Sequence, residues 1–514
     1  MAISVLVLLS GCSATIRDGT DSDSTAAGSG PVTHLADPDP GRASPIPEPV
    51  RPAIPGPPGI PPAPICRNPA FLDGPASPPP GAVRGEAGQD LVALTDRNPA
   101  GATFWLAPGT HPFTTSLVPK DGDIYLGGPG AVVDGQGSQN IAFWEEHFGR
   151  KAKDVRLAYL TIQNFTSEEN QGAVYAGTGW RIDHSTFREN GFVALFAGTR
   201  NVIEFNCFES NGQLGIGTFN FSGAAQDLVV DHNEFRLNNT RGLKGCGCAG
   251  GMKWWATRGG RFTNNWVHHN NGAGVWADTN NIDILFDGNY IDDNANEGIF
   301  YEISYNFMIS NNTLIRNALR KGAEANGNFP MAAIYISESR GVPESGYPYG
   351  RSEIHHNYLA DNWDGVALWE SGNRYAGTDG ADYAPAFGDR LHWRTQNIDV
   401  HHNEFRMNKA AVNCSGNPNC GRNGLFSDWV DVPGSQRSPN TSHNQYQIAV
   451  SFNQDNEFHD NAYFGDWAFV GYDHQLLYDW NTWRARRPEP VSSFDYASPA
   501  PFGFGQDAES SMTR

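Results

Sequence analysis

Apolar and polar positions alternate along much of this chain in short runs that return at a regular interval. In residues 282–286, Ile-Asp-Ile-Leu-Phe, apolar side chains recur at every second position, which is the period of a β-strand and not of a helix. A six-residue motif, Asn-x-apolar-x-x-Asn, recurs beside such runs. It begins at nine positions, the first with Ser in place of Asn: Ser185, Asn206, Asn233, Asn265, Asn289, Asn312, Asn357, Asn403 and Asn456.

The spacing of this motif predicts the architecture. Asn265 and Asn289 lie 24 residues apart, and Asn289 and Asn312 lie 23 apart. These intervals are too short for a repeat built from two helices, and they suit short strands. We therefore predict an all-β fold, a right-handed parallel β-helix in which each interval forms one coil that contacts mainly its neighbours.

The Asn residues themselves are assigned to the scaffold. An Asn in each coil can stack on the next and form a ladder of side-chain hydrogen bonds at the strand spacing of ~4.8 Å. A polar residue inside a turn ordinarily satisfies backbone groups, so ligand binding by these residues is the weaker interpretation. Three histidine pairs recur within or beside the motif and are assigned to the ladder at one structural position, so that no metal ligand is predicted: His268-His269, His355-His356 and His401-His402.

Composition divides the chain into four parts. Residues 1–12 are a short apolar run that ends in Leu-Ser-Gly-Cys and resembles a bacterial lipoprotein signal, whose cysteine, here Cys12, is lipidated after cleavage. Residues 13–80 are rich in Pro, Gly and Ser and predict a disordered linker. Residues 81–487 are assigned to the β-helix with an N-terminal cap, and 488–514 to a flexible tail. The signal implies an exported protein, a cell-envelope lipoprotein anchored to the membrane through Cys12 or a secreted protein.

The net charge excludes one class of binding partner, and the cysteine positions predict one disulfide. The formal net charge is -20, from 56 acidic and 36 basic side chains, so nucleic acid would be repelled and is not an expected partner. Export would allow disulfides to form. Cys414 and Cys420 flank a short Gly/Asn/Pro loop and are the predicted pair. The partners of the other four mature cysteines stay open, and no four-ligand zinc set completes the close pair among them: Cys66, Cys207, Cys246 and Cys248.

Five insertions interrupt the repeat, after Asn238, Asn317, Glu338, Glu370 and Asn413. All of them border the strand that follows the motif. Long loops at the ends of one face of a solenoid form walls around a groove, and such loops usually serve binding or catalysis. The alternative is decoration of a surface that tolerates insertion. We favour a groove on this face.

Two acidic residues share one register on that face. Asp278 lies thirteen residues after Asn265, and Glu302 lies thirteen after Asn289, so the two are expected to stack on neighbouring coils. Strand alternation turns Val275 inward and both acids outward. The alternative is two acids that stack by chance on a solvated face.

The predicted stacking favours one type of chemistry. With coils ~4.8 Å apart, the carboxyl oxygens are expected roughly 5 to 6 Å apart. A retaining glycosidase needs ~5 to 5.5 Å between its two carboxyl groups, whereas an inverting enzyme needs ~6.5 to 9.5 Å. Mutual repulsion is expected to raise the pKa of one acid and leave its partner ionised as a nucleophile. The register therefore predicts retention.

Neighbouring side chains could bind a sugar. Outward aromatic rings offer flat apolar surfaces, and a lysine near the acids could bond a sugar hydroxyl. Loop packing is the alternative for the tryptophans, and a solvated surface position is the alternative for the lysine. The candidate substrate-binding residues are Lys253, Trp255, Trp276, Phe300, Trp369 and Glu370.

Residues 274–278, Gly-Val-Trp-Ala-Asp, and 299–304, Ile-Phe-Tyr-Glu-Ile-Ser, resemble the Gly-Ile-Trp-x-Asp and Leu-Phe-x-Glu-Val segments of the β-helix β-xylosidases. The resemblance implies a retaining glycoside hydrolase in which Asp278 is the nucleophile and Glu302 the general acid/base, with no cofactor. Elsewhere the chain resembles only the general β-helix pattern of pectate-lyase-like and periplasmic repeat proteins. The resemblance therefore does not transfer the identity of the sugar.

The leading hypothesis is a secreted, surface-tethered enzyme that hydrolyses a poly- or oligosaccharide with retention. One alternative is a polysaccharide lyase on the same fold, which needs a basic cluster facing an anionic sugar and often uses Ca²⁺. A second is an envelope protein that binds glycan without catalysis, because repeat scaffolds often only bind or display loops. Turnover that depends on Asp278 separates the hydrolase from the binding protein.

Overall fold

In a computed structural model, the described residues are 60–147, 150–218, 225–243, 249–324, 330–340, 352–370, 394–427, 449–471, 473–479, 481 and 483. They form a right-handed parallel β-helix, which confirms the predicted fold. Three long sheets, named A, B and C in the order in which the chain enters them, run along the solenoid. The predicted lipidation site Cys12, the cysteines Cys246 and Cys248 and the tail 488–514 lie outside the described residues.

Each coil contributes one short strand to each sheet. Sheet A has thirteen strands: Val83–Gly85, Thr103–Leu106, Ile124–Gly127, Arg156–Ala158, Arg181–Asp183, Val202–Glu204, Gln226–Asp231, Arg258–Thr263, Ile282–Asp287, Tyr305–Ser310, Ser352–His355, Ile398–His401 and Glu457–His459. Sheet B has twelve: Gly109–Pro112, Ala131–Asp134, Thr161–Gln163, Thr186–Arg188, Cys207–Glu209, Glu234–Arg236, Trp266–His268, Tyr290–Asp292, Thr313–Ile315, Tyr358–Ala360, Glu404–Met407 and Ala462–Gly465.

Sheet C also has twelve strands: Phe143–Trp144, Gly172–Tyr175, Val193–Phe196, Leu214–Gly217, Gly250–Trp255, Ala273–Asp278, Ile299–Glu302, Ala332–Ser337, Asp364–Glu370, Arg422–Ser427, Ala468–Gly471 and Asp473–Tyr478. Its last two strands are antiparallel, and Glu146–His147 pairs with Arg150–Lys151 as a separate antiparallel ribbon. The helical segments are short: Pro69–Leu72, Leu91–Arg97, Leu319–Glu324 and the π-helical turn Ala449–Asn453. Among the described residues, no helix is long and apolar enough to cross a bilayer.

Both Asn residues of the motif form ladders that join the coils. Asn289 donates its backbone N–H to Oδ1 of Asn312 at 3.0 Å, and Asn294 donates likewise to Asn317 at 3.2 Å. The backbone N–H of Ser185 donates to Asn206, so the Ser variant of the motif also joins the first ladder. These bonds satisfy backbone groups at the buried corners, as a scaffold role requires.

Two details of the predicted ladder are wrong. The backbone N–H of Asn403 donates to Asn461 and not to Asn456. Asn456 instead precedes a strand of sheet A, and its side-chain amide donates to the carbonyl groups of Thr395 and Val450. The histidine pairs also occupy two positions. His269 precedes the second Asn of its motif, whereas His356 and His402 precede the first.

The predicted linker extends too far. Residues 60–80 contact the solenoid, because Cys66 forms a disulfide with Cys207, and the backbone N–H groups of Ile65 and Cys66 donate to Glu234 Oε2 at 2.7 and 2.8 Å. Arg67 adds an ion pair with Glu209. The low apolar content of this segment does not indicate that it binds the solenoid, because a disulfide, hydrogen bonds and an ion pair hold it there instead of apolar contacts.

Both ends of the solenoid core are covered. At the first coil, Leu91 and Leu94 of the helix Leu91–Arg97 join the hydrophobic core. At the last coils, Trp483 stacks on Phe469 with ring centroids 5.6 Å apart. The predicted N-terminal cap therefore has a counterpart in the structure, and aromatic rings cover the opposite end.

Candidate active site on sheet C

The strand that follows the motif belongs to sheet C, so the five insertions adjoin the ends of its strands. Residues 244–248, 325–329, 341–351 and 371–393 of these insertions lie outside the described residues. The insertion after Asn413 begins with a loop closed by a disulfide between Cys414 and Cys420, the predicted pair.

Asp278 and Glu302 are direct partners in the parallel pairing of Ala273–Asp278 with Ile299–Glu302. Val275 and Ala277, which alternate with the outward positions, belong to the main hydrophobic core of the solenoid. Trp276 belongs instead to a separate cluster outside that core. Alternation therefore places Asp278 and Glu302 on the outer side of sheet C, on neighbouring coils.

Asp278 forms an ion pair with Lys253. The ammonium Nζ lies 2.7 Å from Oδ2, an oxygen without another hydrogen-bond partner among the described residues, and the Thr279 hydroxyl donates to Oδ1 at 2.8 Å. Lys253 extends from the preceding strand of sheet C, where it pairs with Trp276. The ammonium thus holds the Asp278 carboxylate from the neighbouring coil.

Glu302 is held by a different donor. The indole N–H of Trp276 donates to Glu302 Oε2 at 3.1 Å. Trp276 contacts Glu302 directly and is linked to Asp278 through Lys253, whose ammonium lies 3.9 Å from the centre of its ring. The two acids therefore have different partners, an ammonium at Asp278 and an indole N–H at Glu302.

The aromatic rings stack on one another instead of forming open platforms. Trp276 and Phe300 are parallel within 11°, with centroids 5.0 Å apart, and Phe300 contacts Tyr335 of the next coil at 4.8 Å. Lys253 lies on the preceding coil, so both faces of Trp276 are covered. The expectation that Trp276 offers a flat face to a sugar is therefore wrong. Tyr335 was missed by sequence reasoning, although its register with Phe300 is the signal that could have found it.

The site is also less open than the predicted groove. The exposed fractions are 1% for Asp278, 4% for Glu302, 5% for Lys253 and 6% for Trp276. Exclusion of water lowers the local dielectric constant and strengthens each charge interaction within the cluster.

The remaining tryptophan candidates lie in the same row as the acids. Trp255 pairs with Asp278 on one side, and Trp369 follows Glu302 by two coils, with Ser337 between them. Trp255 is partly exposed. Trp369 is buried in a cluster that includes Phe426, so its ring packs against the protein.

The expectation of substrate binding at Glu370 is wrong. Its Oε2 accepts hydrogen bonds from the backbone N–H of Thr395 at 2.9 Å and from the Gln454 amide at 2.6 Å. Burial, reinforced by the negative charge of Glu338, raises its pKa to about 8. Glu370 therefore ties sheet C to the next corner of the solenoid and belongs to the scaffold.

A further acid was missed. Glu297 lies two residues before the strand Ile299–Glu302 and is 4% exposed. Burial raises its pKa to about 7, and its carboxyl group bonds its own backbone N–H. The signal in the sequence was a Glu-Gly pair directly before an apolar strand. Within the described part of the chain, no group of three metal-ligating side chains includes Asp278 or Glu302.

A family model described as a right handed beta helix region matches residues 171–342. No curated protein matches the chain. A solved mannuronic acid specific polysaccharide family 6 lyase from human gut microbiota is 11% identical, with 84% of this chain and 94% of that chain covered and a TM-score of 0.45. The catalytic unit of an alpha-1,3-glucanase from Streptomyces thermodiastaticus is 15% identical, with 79% of this chain and 70% of that chain covered and a TM-score of 0.40. A mannuronan C-5 epimerase A-module from Azotobacter vinelandii is 14% identical, with 68% of this chain and 93% of that chain covered and a TM-score of 0.37. Likenesses at this level assign no activity to this chain.

Proposed function

We propose that the outer side of sheet C carries the active site of a retaining glycoside hydrolase that acts on a poly- or oligosaccharide. Asp278 is the nucleophile, and Glu302 is the general acid/base. The observation that carries the proposal is their direct pairing on neighbouring coils. Coils ~4.8 Å apart suit the separation of ~5 to 5.5 Å between the carboxyl groups of a retaining enzyme.

The first chemical step forms a glycosyl-enzyme ester. A carboxylate oxygen of Asp278 attacks the anomeric carbon while Glu302 transfers its proton to the leaving glycosidic oxygen. Lys253 supports this role, because its ammonium 2.7 Å from Oδ2 holds the carboxylate of Asp278 in place. The Thr279 hydroxyl fixes the orientation of the same carboxylate through Oδ1.

The second step releases the sugar. Glu302, now ionised, removes a proton from water, and the resulting hydroxide attacks the anomeric carbon and frees Asp278. The indole N–H donates to Oε2 and so restrains the carboxyl group of Glu302 in both steps. Trp276 thus orients the acid/base.

The surroundings of Lys253 favour a hydrolase over a lyase. A lyase removes a proton next to a carboxylate with a base that must be neutral when it acts. Lys253 Nζ is already engaged by the Asp278 carboxylate at 2.7 Å and lies over the ring of Trp276. Lys253 is therefore better suited to hold Asp278 than to act as a base.

Hydrolysis of aryl glycosides and of purified envelope or plant glycans tests the proposal. Asp278→Asn is expected to abolish turnover, and Glu302→Gln is expected to abolish it for substrates with poor leaving groups. Asp278→Gly with azide is expected to give a product of the opposite anomeric configuration. Asp287→Asn is the matched control, since Asp287 lies on sheet A of the same coil, and full activity is expected.

Each alternative gives a different result. Unchanged hydrolysis in the Asp278→Asn variant removes Asp278 from the mechanism. An unsaturated uronate product, detected by its ultraviolet absorbance, assigns a lyase. Glycan binding that survives in Asp278→Asn, with no turnover in the unmodified protein on any substrate, assigns a binding protein.

We also propose export to the cell envelope. Two disulfides, Cys66–Cys207 and Cys414–Cys420, are typical of an oxidising compartment. Metabolic labelling with a fatty acid tests the lipid anchor, and Cys12→Ala is expected to abolish the label. A labelled Cys12→Ala variant would contradict an anchor at this residue.

A further inference from the structure

A second cluster of chemically active side chains lies on sheet A, away from the candidate active site. Three strands on consecutive coils, Ser352–His355, Ile398–His401 and Glu457–His459, place two columns of residues side by side. One column is acidic: Glu353, Asp399 and Glu457. The other is histidine: His355, His401 and His459. Members of the two columns are two residues apart on each strand, so they share one face of the sheet.

The histidine rings form a regular stack. The centroids of His355 and His401 are 5.1 Å apart, and those of His401 and His459 are 5.0 Å apart with the rings parallel within 3°. In each ring Nε2 faces the acidic column. His459 Nε2 lies 2.8 Å from Asp399 Oδ1, and His401 Nε2 lies 3.8 Å from Glu353 Oε2.

Three potential ligand atoms converge at the end of the stack. The ligand atoms of Asp399, Glu457 and His459 all lie within 4.8 Å of one another. Two carboxylates and an imidazole are a ligand set that divalent transition metals accept. Neighbouring ligand atoms around an ion at ~2.1 Å are separated by about 3.0 to 3.4 Å, so a spacing of 2.8 Å requires only a small adjustment.

A residue outside the ligand set orients the histidine. His459 Nδ1 lies 2.8 Å from Asp460 Oδ2. A metal-ligating histidine almost always gives its second N–H to a carboxylate or carbonyl, which fixes the tautomer and raises the basicity of the ligating nitrogen. The hydrogen bonds to Asp399 and Asp460 raise the pKa of His459 to about 9, so an incoming ion has to displace the proton on Nε2, while Nδ1 keeps its proton toward Asp460.

We propose that Asp399, Glu457 and His459 bind a divalent transition metal ion, with Zn²⁺ as the representative ion. The site is independent of the proposed hydrolase chemistry, because it lies on sheet A. Its occupant would link the last coils of the sheet through ligands on two consecutive strands.

A comparable cluster on the same molecule shows what disqualifies a site. His269, Asp292 and Asp293 also bring three ligand atoms together. Arg316 already neutralises them, with its guanidinium 2.6 Å from Asp293 and 3.7 Å from Asp292. An ion there would have to compete with a fixed positive charge. An ion at the His459 cluster has to displace a proton from the imidazole.

Calorimetric titration of the full chain with Zn²⁺, Ni²⁺ and Co²⁺, after removal of metal with EDTA and without a polyhistidine tag, tests the proposal. The unmodified protein is expected to take up one more ion than His459→Asn. Glu457→Gln is a second variant that keeps the size of the side chain, and it is expected to weaken uptake at least tenfold. His232→Asn is the matched control, because His232 pairs with Asp231 through Nδ1 in the same way and belongs to no three-ligand group among the described residues.

Two further readouts separate binding at this site from general surface binding. The ion is expected to raise the melting temperature of the unmodified protein and of His232→Asn, but not of His459→Asn. Bound Co²⁺ is expected to give a visible absorption band that His459→Asn lacks. Equal uptake by the unmodified protein and both site variants, or no uptake at all, overturns the proposal. A loss of ion uptake in His232→Asn equal to that in His459→Asn overturns the proposal as well.

Discussion

Lys253 and Asp278 form an ion pair that is almost fully removed from solvent, with Nζ 2.7 Å from Oδ2 and side-chain exposed fractions of 6% and 1%. They project from neighbouring strands of sheet C, and the ammonium also lies over the ring of Trp276. Taking both charges out of water is costly, and the pair offsets that cost only while both partners are present. The pair therefore links the stability of this face to its proposed chemistry.

Removal of Lys253 is expected to cause a large loss in the free energy of unfolding. Lys253→Met leaves Asp278 as a buried charge without its cation, and loss of one partner of a buried pair costs about 3 to 5 kcal/mol. Guanidinium unfolding measures the loss, and the double variant Lys253→Met with Asp278→Asn is expected to recover part of it. Lys321→Met is the control, since its pair with Glu324 is partly exposed and such pairs contribute about 0 to 1 kcal/mol. Equal losses in the two lysine variants would contradict this account.

The Asn ladder gives a prediction about coil stacking. Asn289 accepts the backbone N–H of Asn265 at 2.9 Å and donates to the carbonyl of Phe262 at 2.8 Å. Asn289→Ala leaves these two buried groups unsatisfied, at about 1 to 3 kcal/mol for each group, so a loss of roughly 2 to 6 kcal/mol in the free energy of unfolding is expected.

The chain itself supplies the control for the ladder. Ser185 occupies a ladder position and accepts the backbone N–H of Leu160 through its hydroxyl at 3.2 Å. Asn289→Ser is therefore expected to lose less stability than Asn289→Ala. A loss below about 0.5 kcal/mol in the alanine variant, the range of neutral surface substitutions, would refute the ladder as a stabilising element.

Glu370 predicts a pH dependence. Burial raises its pKa from 4.5 to about 8 in the folded state, so the folded chain holds a proton that the unfolded chain has already released between these values. The contribution of this group to stability is therefore fully present below the unfolded pKa and is lost as the pH rises toward 8. Glu370→Gln mimics the protonated group and is expected to flatten this decline.

Urea unfolding at several pH values measures the decline. The difference in stability between Glu370→Gln and the unmodified protein is expected to grow in favour of the variant as the pH increases. Glu168→Gln, at an exposed position, is the control and should leave the slope unchanged. A parallel pair of curves for Glu370→Gln and the unmodified protein would show that Glu370 is ionised in the folded state.

The repeat made the fold and the pairing of the acids predictable. One residue of slip in a β-helix register moves a side chain from the outer face to the core, so the shared spacing from Asn265 to Asp278 and from Asn289 to Glu302 was sufficient to place both acids. The ninth motif failed because Asn456 satisfies the same six-residue pattern on a different sheet. A short motif identifies a corner of the solenoid only when its distance from the previous coil is also consistent.

Contacts between segments that are distant in the sequence could not be predicted from the repeat pattern. The hydrogen bonds of Glu370 come from Thr395 and Gln454 across a long insertion. The pairing of Cys66 with Cys207 joins residues that are 141 apart. Periodicity carries information about neighbouring coils, and it carries none about a segment that lies outside the repeat.

The two disulfides are expected to contribute unequally to stability. Cys66–Cys207 spans 141 residues, whereas Cys414–Cys420 spans 6. A cross-link removes more entropy from the unfolded chain when it closes a longer loop, and the chain-entropy relation gives about 5 and about 2 kcal/mol for these spans. The double variant Cys66→Ser with Cys207→Ser is thus expected to unfold at lower guanidinium concentration than Cys414→Ser with Cys420→Ser, under non-reducing conditions. The opposite order would show that residues 60–80 are held to the solenoid mainly by the hydrogen bonds to Glu234, because those bonds remain in the first variant.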